Sequence, residues 1–320
     1  MTLLGHEQAW LQWNAALAGP RMHHAWLLSG RRGLGKTAFA LAAARVLVRQ
    51  DDAPGTAGEH PDIIHLTHPP KDDGEALKRQ EGKPYEVKRS IPIDLVRSMQ
   101  RRLTTRPTLG ERRAVIVDPA DDMEPQAANA LLKSLEEPPQ GTFFLLVAHQ
   151  AARLLPTIRS RCRVLRFAGL DDAAVAALLA SRAPEADGGT RAAAVAAAAG
   201  SPGLALEFVE QDLGRVDGLM HEILATGDPL FALRGRLAAE IGPRPARLRM
   251  QAILELARVV VAKQAERSPR ERIAALVRLH GELVTLAAQA PVYNFDPGLL
   301  AMEIGTLLAS AAPASERAHV

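Results

Sequence analysis

The sequence predicts an α/β domain built on an open parallel sheet, followed by an all-α half. Three observations carry this reading. Short apolar runs alternate with amphipathic stretches up to about residue 167, as in successive strand–helix units. Ala114 to Val117 is an uninterrupted apolar run, the pattern of a parallel strand covered on both faces. After Gly169 the strand signals stop and Ala- and Leu-rich helical periodicity takes over.

Taken in order, Ala25 to Ser29 (AWLLS) reads as a buried strand, followed by a glycine-rich turn and a helix from Thr37 to Val48. Ile63 to Leu66 is a second strand. Ile93 to Leu103 has apolar residues at 93, 95, 96, 99 and 103, with Arg97, Arg101 and Arg102 elsewhere, which fits a helix with one buried stripe. A helix over Pro125 to Glu136 is ended by Pro138 and Pro139. Phe143 to Ala148 and Val164 to Phe167 supply further strands. Lys71 to Ser90 is polar, with two glycines and a proline, and reads as a mobile loop. The helical half divides into Asp171–Arg182, Thr190–Ala199, Leu204–Asp212, Asp217–Leu224, Pro229–Ile241, Arg247–Ala265, Pro269–Gln289 and Gly298–Ser310, with a frayed tail from Ala311. The simplest division is a sheet domain over 1–167, a small helical domain over 168–207 and a larger helical domain over 208–320.

Composition narrows the chemistry. The 320 residues are 47% hydrophobic and 23% charged, as in a globular protein of two or three domains. The single cysteine, Cys162, excludes a disulfide framework and a zinc site built on several thiolates. The net charge of +3 is a weak argument for nucleic acid as the main ligand, so any basic surface has to be local. The opening MTLLGHEQAWLQW lacks a signal-peptide pattern, and no stretch reaches the ~20 apolar residues of a membrane span. The expectation is a cytoplasmic protein with no membrane partner.

Gly30-Arg-Arg-Gly-Leu-Gly35-Lys36-Thr37 fits G-x-x-x-x-G-K-[ST] completely, between a strand and a helix. Gly30, Gly33 and Gly35 let backbone N–H groups converge on phosphate oxygens at the positive end of the helix. Lys36 is placed for the terminal phosphates and the Thr37 hydroxyl for Mg2+. The implied cofactor is ATP or ADP with Mg2+. A hydrolysing site of this kind also needs a carboxylate for Mg2+ at the end of the Ala114–Val117 strand, and usually a second to polarise the attacking water. Asp118 supplies the first, but Pro119 stands where the second belongs. Asp121 and Asp122 lie past the strand end, where a turn or helix start is the better use for them.

The run RRAVIVDPADDMEPQAANALLKSLEEPP from Arg112 to Pro139, with GTFFLLVAHQAARLLPTIRSRC after it, closely resembles the clamp-loader branch of the AAA+ ATPases. HAWLLSG before the P-loop, GEHPDIIHL at 58–66, AAGSPGLAL at 198–206 and NFDPGLLAME at 294–303 extend the resemblance along the chain. It implies an AAA+ nucleotide-binding-like domain, a helical lid and a helical collar that holds a pentamer. The implied partners are gamma/tau motor subunits, the delta subunit, the sliding clamp and primed DNA.

The departures from an active motor subunit matter as much. The acidic pair is Asp118-Pro119 here, the polar sensor-1 position is Ala148-His149, and the sensor-2 arginine position is Gly203. Losing a water-activating carboxylate, a phosphate-sensing group and a cation, even at ~2 kcal/mol each, removes useful turnover. The resemblance assigns Arg161 of the Ser160-Arg161-Cys162 triplet as an arginine finger, acting in trans on a neighbouring motor subunit's nucleotide. On the residues alone, Arg161 is also one of several arginines that include Arg153, Arg159, Arg163 and Arg166. Cys162 reads as a small apolar support for that loop. The alternative to a hydrolysis-deficient subunit is an ATP-hydrolysing motor of the gamma/tau type.

His60, Asp62, His65 and His68 do not match a metal-ligand spacing. Close relatives carry a four-cysteine zinc module just before the position of Gly58; with no cysteine there, no zinc is expected. From Lys78 to Arg113 there are eleven basic residues against four acidic ones, which fits either a surface facing duplex phosphates or an ordinary solvated face.

Overall fold

The computed structural model describes residues 5–48, 60–293 and 295–313. The stretch 51–58, the end of the tail and Asn294 of the NFDPGLLAME run lie outside the described residues. The chain forms two compact units, residues 1–169 and 170–320.

In the first unit, α1 (Glu7–Ala18) leads into β1 (Ala25–Ser29) and α2 (Lys36–Val48). Then come β2 (Ile63–Leu66), α3 (Asp73–Gln80), α4 (Ile93–Leu103) and β3 (Arg113–Val117). A single 3-10 turn over Ala120–Asp122 precedes α5 (Pro125–Glu136) and β4 (Thr142–Ala148). A second 3-10 turn, the short α6 (Pro156–Ser160) and β5 (Arg163–Arg166) complete the unit. The sheet is wholly parallel, in the order β2-β3-β4-β1-β5.

Alternation along each strand builds two cores. Ala25 and Leu27 of β1, Val115 and Val117 of β3, and Phe144 and Leu146 of β4 pack with α4, α5 and α6 through Val96, Leu131 and Ile158. Trp26 and Leu28, Ala114 and Ile116, and Leu145 and Val147 face the other way, onto Trp13 of α1 and Phe39 of α2. Full burial of each large side chain contributes roughly 2–3 kcal/mol, and both faces of the central strands are closed to water.

Besides the short α6, two helices were not legible as such. The predicted loop over Lys71–Ser90 contains α3. Its Asp72 N-cap accepts the Glu75 N–H at 3.0 Å, Asp73 and Glu75 sit in the first turn, and Lys78 and Arg79 in the last. Charges arranged along the helix dipole and a cap stabilise it, while none of its residues is buried, so no apolar stripe announces it. The second is α1, whose buried residues are Ala9 and Trp13, too sparse a pattern to stand out.

The second unit consists of α7 (Asp172–Arg182), α8 (Gly188–Ala198), α9 (Pro202–Glu210), α10 (Gly214–Thr226), α11 (Ala232–Ile241), α12 (Arg247–Arg267), α13 (Arg270–Tyr293) and α14 (Pro297–Ser310). Side-chain oxygens of Asp171, Asp187, Ser201 and Asp296 accept N–H groups of the first turns of α7, α8, α9 and α14. One continuous apolar core joins these helices, from Val175 to Leu308. Among the described residues no helix is long and apolar enough to cross a membrane.

One buried charge pair fixes the start of the sheet. Asp62, 1% exposed, accepts the N–H groups of Thr108 and Leu109 at 2.6 and 2.8 Å, and its carboxylate lies 3.6 Å from the Arg113 guanidinium. Arg113 in turn donates to the carbonyls of Arg102, Thr105 and Arg106. Burial pushes the Asp62 carboxyl up, but the two N–H donors and Arg113 outweigh it, so it titrates below its ordinary 3.8. We expect Asp62→Ala to lower stability in urea unfolding by about 3 kcal/mol, because it strands a buried guanidinium. A depressed carboxylate stabilises above its unfolded-state pKa and ceases to as pH falls through the folded one. The gap between wild type and variant should therefore narrow below pH 3.8.

Candidate functional site

Parallel strands in this register bring five C-terminal ends to one edge. Ser29 pairs with Ala148 and Arg166, and Leu66 with Val117. The residues that follow these ends, Gly30, Asp118, His149 and Phe167, therefore gather there, as the ligand edge of an open parallel sheet requires.

The loop between β1 and α2 is held tightly. The Gly30 N–H donates to the Ala148 carbonyl at 3.3 Å. A Cβ on Gly30 would lie 2.5 Å from the Phe167 carbonyl oxygen, so no side chain fits. Gly33 and Gly35 adopt φ of 80° and 76°, the left-handed region that glycine enters without strain. Lys36 is 2% exposed, and its Nζ donates to the carbonyls of Gly30 and Arg31 at 2.6 and 2.5 Å. Burial lowers its pKa to about 8, with Asp121 and Asp118 opposing the shift.

Across from the loop, Asp118 is 7% exposed, and its N–H donates to the Leu66 carbonyl at 2.9 Å. Burial alone would raise its pKa, but polar contacts from His65 and Thr37 hold it below the ordinary value. The His65 Nε2 lies 3.8 Å from the carboxylate, an ion-pair distance rather than a hydrogen bond. Thr37 and Asp118 thus face each other as a hydroxyl and an ionised carboxylate, an oxygen donor set that fits Mg2+ beside a bound phosphate. Pro119 follows through a cis peptide bond.

Asp121 is engaged by backbone donors. Its carboxylate accepts the His149 N–H at 3.0 Å and the Gln150 N–H at 2.7 Å, tying the turn after β3 to the end of β4. His149, which the family resemblance puts at the sensor-1 position, follows β4 directly. Burial and then the Lys36 ammonium lower its pKa, against Asp121 and Asp118. Its buried Nδ1 has no hydrogen-bond partner among the described residues. His65 was not legible as a site residue, because only the strand register reveals its place. Gly203 lies in the first turn of α9, in the second unit.

The four residues considered for a metal have separate partners. The His60 Nδ1 accepts the Asp62 N–H, Asp62 is committed to Arg113 and its loop, His65 faces Asp118, and His68 lies 3.2 Å from Asp122. The basic run over 78–113 is also less open than its count suggests. Arg113 is 4% exposed, Arg102 donates to the Pro61 carbonyl, and Lys78, Lys83 and Arg97 pair with Glu75, Glu81 and Asp94.

Arg161 caps the C-terminus of α6. Its Nη2 lies 2.6 Å from Glu136 Oε1, and its Nη1 donates to the Thr157 carbonyl at 2.9 Å. Cys162 beside it packs on the core under α4 and α5, and burial pushes its thiol up to about 12. At neutral pH it is a thiol and not a nucleophile. We expect native protein at pH 8 to resist iodoacetamide, with stoichiometric alkylation by mass spectrometry only after unfolding.

A family model described as "DNA polymerase III, delta subunit" matches residues 5–171. The DNA polymerase III subunit delta' of Pseudomonas aeruginosa is 40% identical over 159 residues, 46% of this chain and 44% of that one. That of Escherichia coli K12 is 33% identical over 253 residues, covering 75% of this chain and 71% of the relative. A DNA polymerase III subunit gamma/tau of Mycobacterium tuberculosis H37Rv is 30% identical over 179 residues, 56% of this chain and 30% of that one. The chain thus spans less than half of the Pseudomonas relative and just over two thirds of the Escherichia one.

Proposed function

This chain belongs to the DNA polymerase III delta-prime family, and from that premise we propose that it is a hydrolysis-deficient subunit of a clamp loader. It helps load the sliding clamp onto primed DNA during replication, alongside gamma/tau motor subunits and the delta subunit, and donates Arg161 to a neighbour's ATP. The helical unit divides, in this reading, into a lid over 168–207 and an oligomerising collar over 208–320. Basic residues among 78–113 with no acidic neighbour in the fold face the DNA.

The observation that carries the reading is the state of the β3 end. Asp118 is followed by Pro119, and the next carboxylate, Asp121, is bound to the N–H groups of His149 and Gln150. Asp122 beyond it is paired with His68 and Arg153, at 3.2 and 3.4 Å, so in this reading neither carboxylate orients an attacking water. Chemistry is instead delivered at the surface. A guanidinium set against a γ-phosphate is worth ~10^3 to 10^5 in rate.

The P-loop retains a binding role. Gly30, Gly33 and Gly35 shape the cradle, Lys36 carries the charge that meets phosphate, and Thr37 and Asp118 hold Mg2+. Bound Mg2+ would neutralise phosphate charge. Lys36 already sits among loop carbonyls, so a phosphate replaces those contacts without a search through side-chain conformations.

The motor alternative keeps the same loop but requires turnover by this chain alone. We expect the isolated protein to show no steady-state ATP hydrolysis. In a reconstituted clamp loader, Arg161→Ala should lower ATPase activity by about 10^3-fold; near-wild-type activity of that variant, or turnover by the isolated chain that Lys36→Ala abolishes, refutes the proposal. ATP or ADP with Mg2+ should raise the melting temperature of the isolated protein by an amount that grows with the logarithm of ligand concentration over Kd, and Lys36→Ala should remove that rise.

A further inference from the structure

An arginine that acts on another subunit costs less to engage if it is ordered before that subunit arrives, and the surroundings of Arg161 bear on how. Its backbone is fixed from below. Pro156 starts α6, Ile158 is fully buried with Leu131 and Leu135 of α5, and the Arg161 and Cys162 N–H groups donate to the Ile158 and Arg159 carbonyls. The desolvated Cys162 thiol packs on the same core. Such anchoring places the Cα but not the guanidinium, which lies at the end of a long, rotatable stem.

Two groups hold that end. Glu136, the last residue of α5, brings Oε1 to 2.6 Å from Nη2, and the Thr157 carbonyl, one turn back in α6, accepts from Nη1 at 2.9 Å. One contact comes from α5 and the other from α6, so the fork is fixed in position and in rotation. The other arginines of this stretch are held differently. Arg153 is 3.4 Å from Asp122, and Arg163 lies over the Trp26 ring at 5.1 Å. The Arg161 side chain remains 35% exposed and that of Glu136 47%. The pair is therefore at the surface, where an ion pair contributes little to folding. The remaining N–H donors of the guanidinium are not used by these two contacts.

We propose that Glu136 is a positioning residue for Arg161: with the Thr157 carbonyl it pre-orders the guanidinium, so that an anion carried by an adjacent subunit meets a fork already in place. This rests on the reading of Arg161 as a finger in trans. Ordering is then complete before the transition state, and the benefit appears in kcat rather than in nucleotide binding by the neighbour.

The test is steady-state ATP hydrolysis by the reconstituted clamp-loader complex carrying Glu136→Gln, Glu136→Asp, Arg161→Ala or Arg161→Ala with Glu136→Gln. Glu136→Gln should lower kcat by roughly threefold to tenfold, with KM for ATP and the melting temperature of the subunit unchanged. Glu136→Asp, which keeps the charge, should restore part of the loss. In the Arg161→Ala background Glu136→Gln should have no further effect, since no guanidinium remains to be held. Wild-type kcat for Glu136→Gln beside an inactive Arg161→Ala, or the same fall in both backgrounds, overturns the positioning role alone. Wild-type turnover by Arg161→Ala overturns the finger, and the positioning role with it.

Discussion

A parallel sheet buried on both faces has no chemistry to offer except at its ends. β1, β3 and β4 carry apolar side chains toward both helical layers, so every polar group with work to do is displaced to the edge where the strands finish. The register then decides which groups meet. Gly30 comes beside His149 because Ser29 pairs with Ala148, and Asp118 comes level with Val147, two residues before His149, because Val117 pairs with Leu146. The site is a consequence of alignment, before any individual side chain is considered.

Asp121 shows how that edge is kept in order. Its carboxylate receives two backbone N–H groups from the start of the segment that leads on to α6. Those bonds make Asp121 a clamp, and the segment it steadies leads through α6 to Arg161. The order of the sheet edge and the placing of a surface arginine thus belong to one local arrangement.

Much of this was legible in the sequence, and the exceptions have physical causes. The P-loop and β3 are contiguous motifs whose residue types are each required by local geometry, so they can be read from spacing alone. The buried helices of the second unit follow from periodicity, but two of their caps, Asp187 and Ser201, lie three residues before the expected starts at Thr190 and Leu204. His65, Glu136 and Thr157 are different. They belong to their sites only through pairing across the sheet or packing of α5 on α6, and nothing in their immediate sequence states that. Arg113 shows the converse. It counts as a basic residue of a charged run, but it is a buried strut whose guanidinium holds three carbonyls.

The excursion that carries α3 is closed at its root. Pro70 and Val87 pair as an antiparallel bridge, the Lys71 N–H donates to the Glu86 carbonyl, and the Lys88 N–H to the Pro69 carbonyl. The chain leaves and rejoins the sheet domain at one point, so the span from β2 to α4 does not depend on what lies between. Loop-closure cost grows only slowly with length, and a segment rooted this way tolerates insertion or deletion. Among related chains, this is a place where length can drift and new surfaces can be acquired while the sheet edge stays as it is.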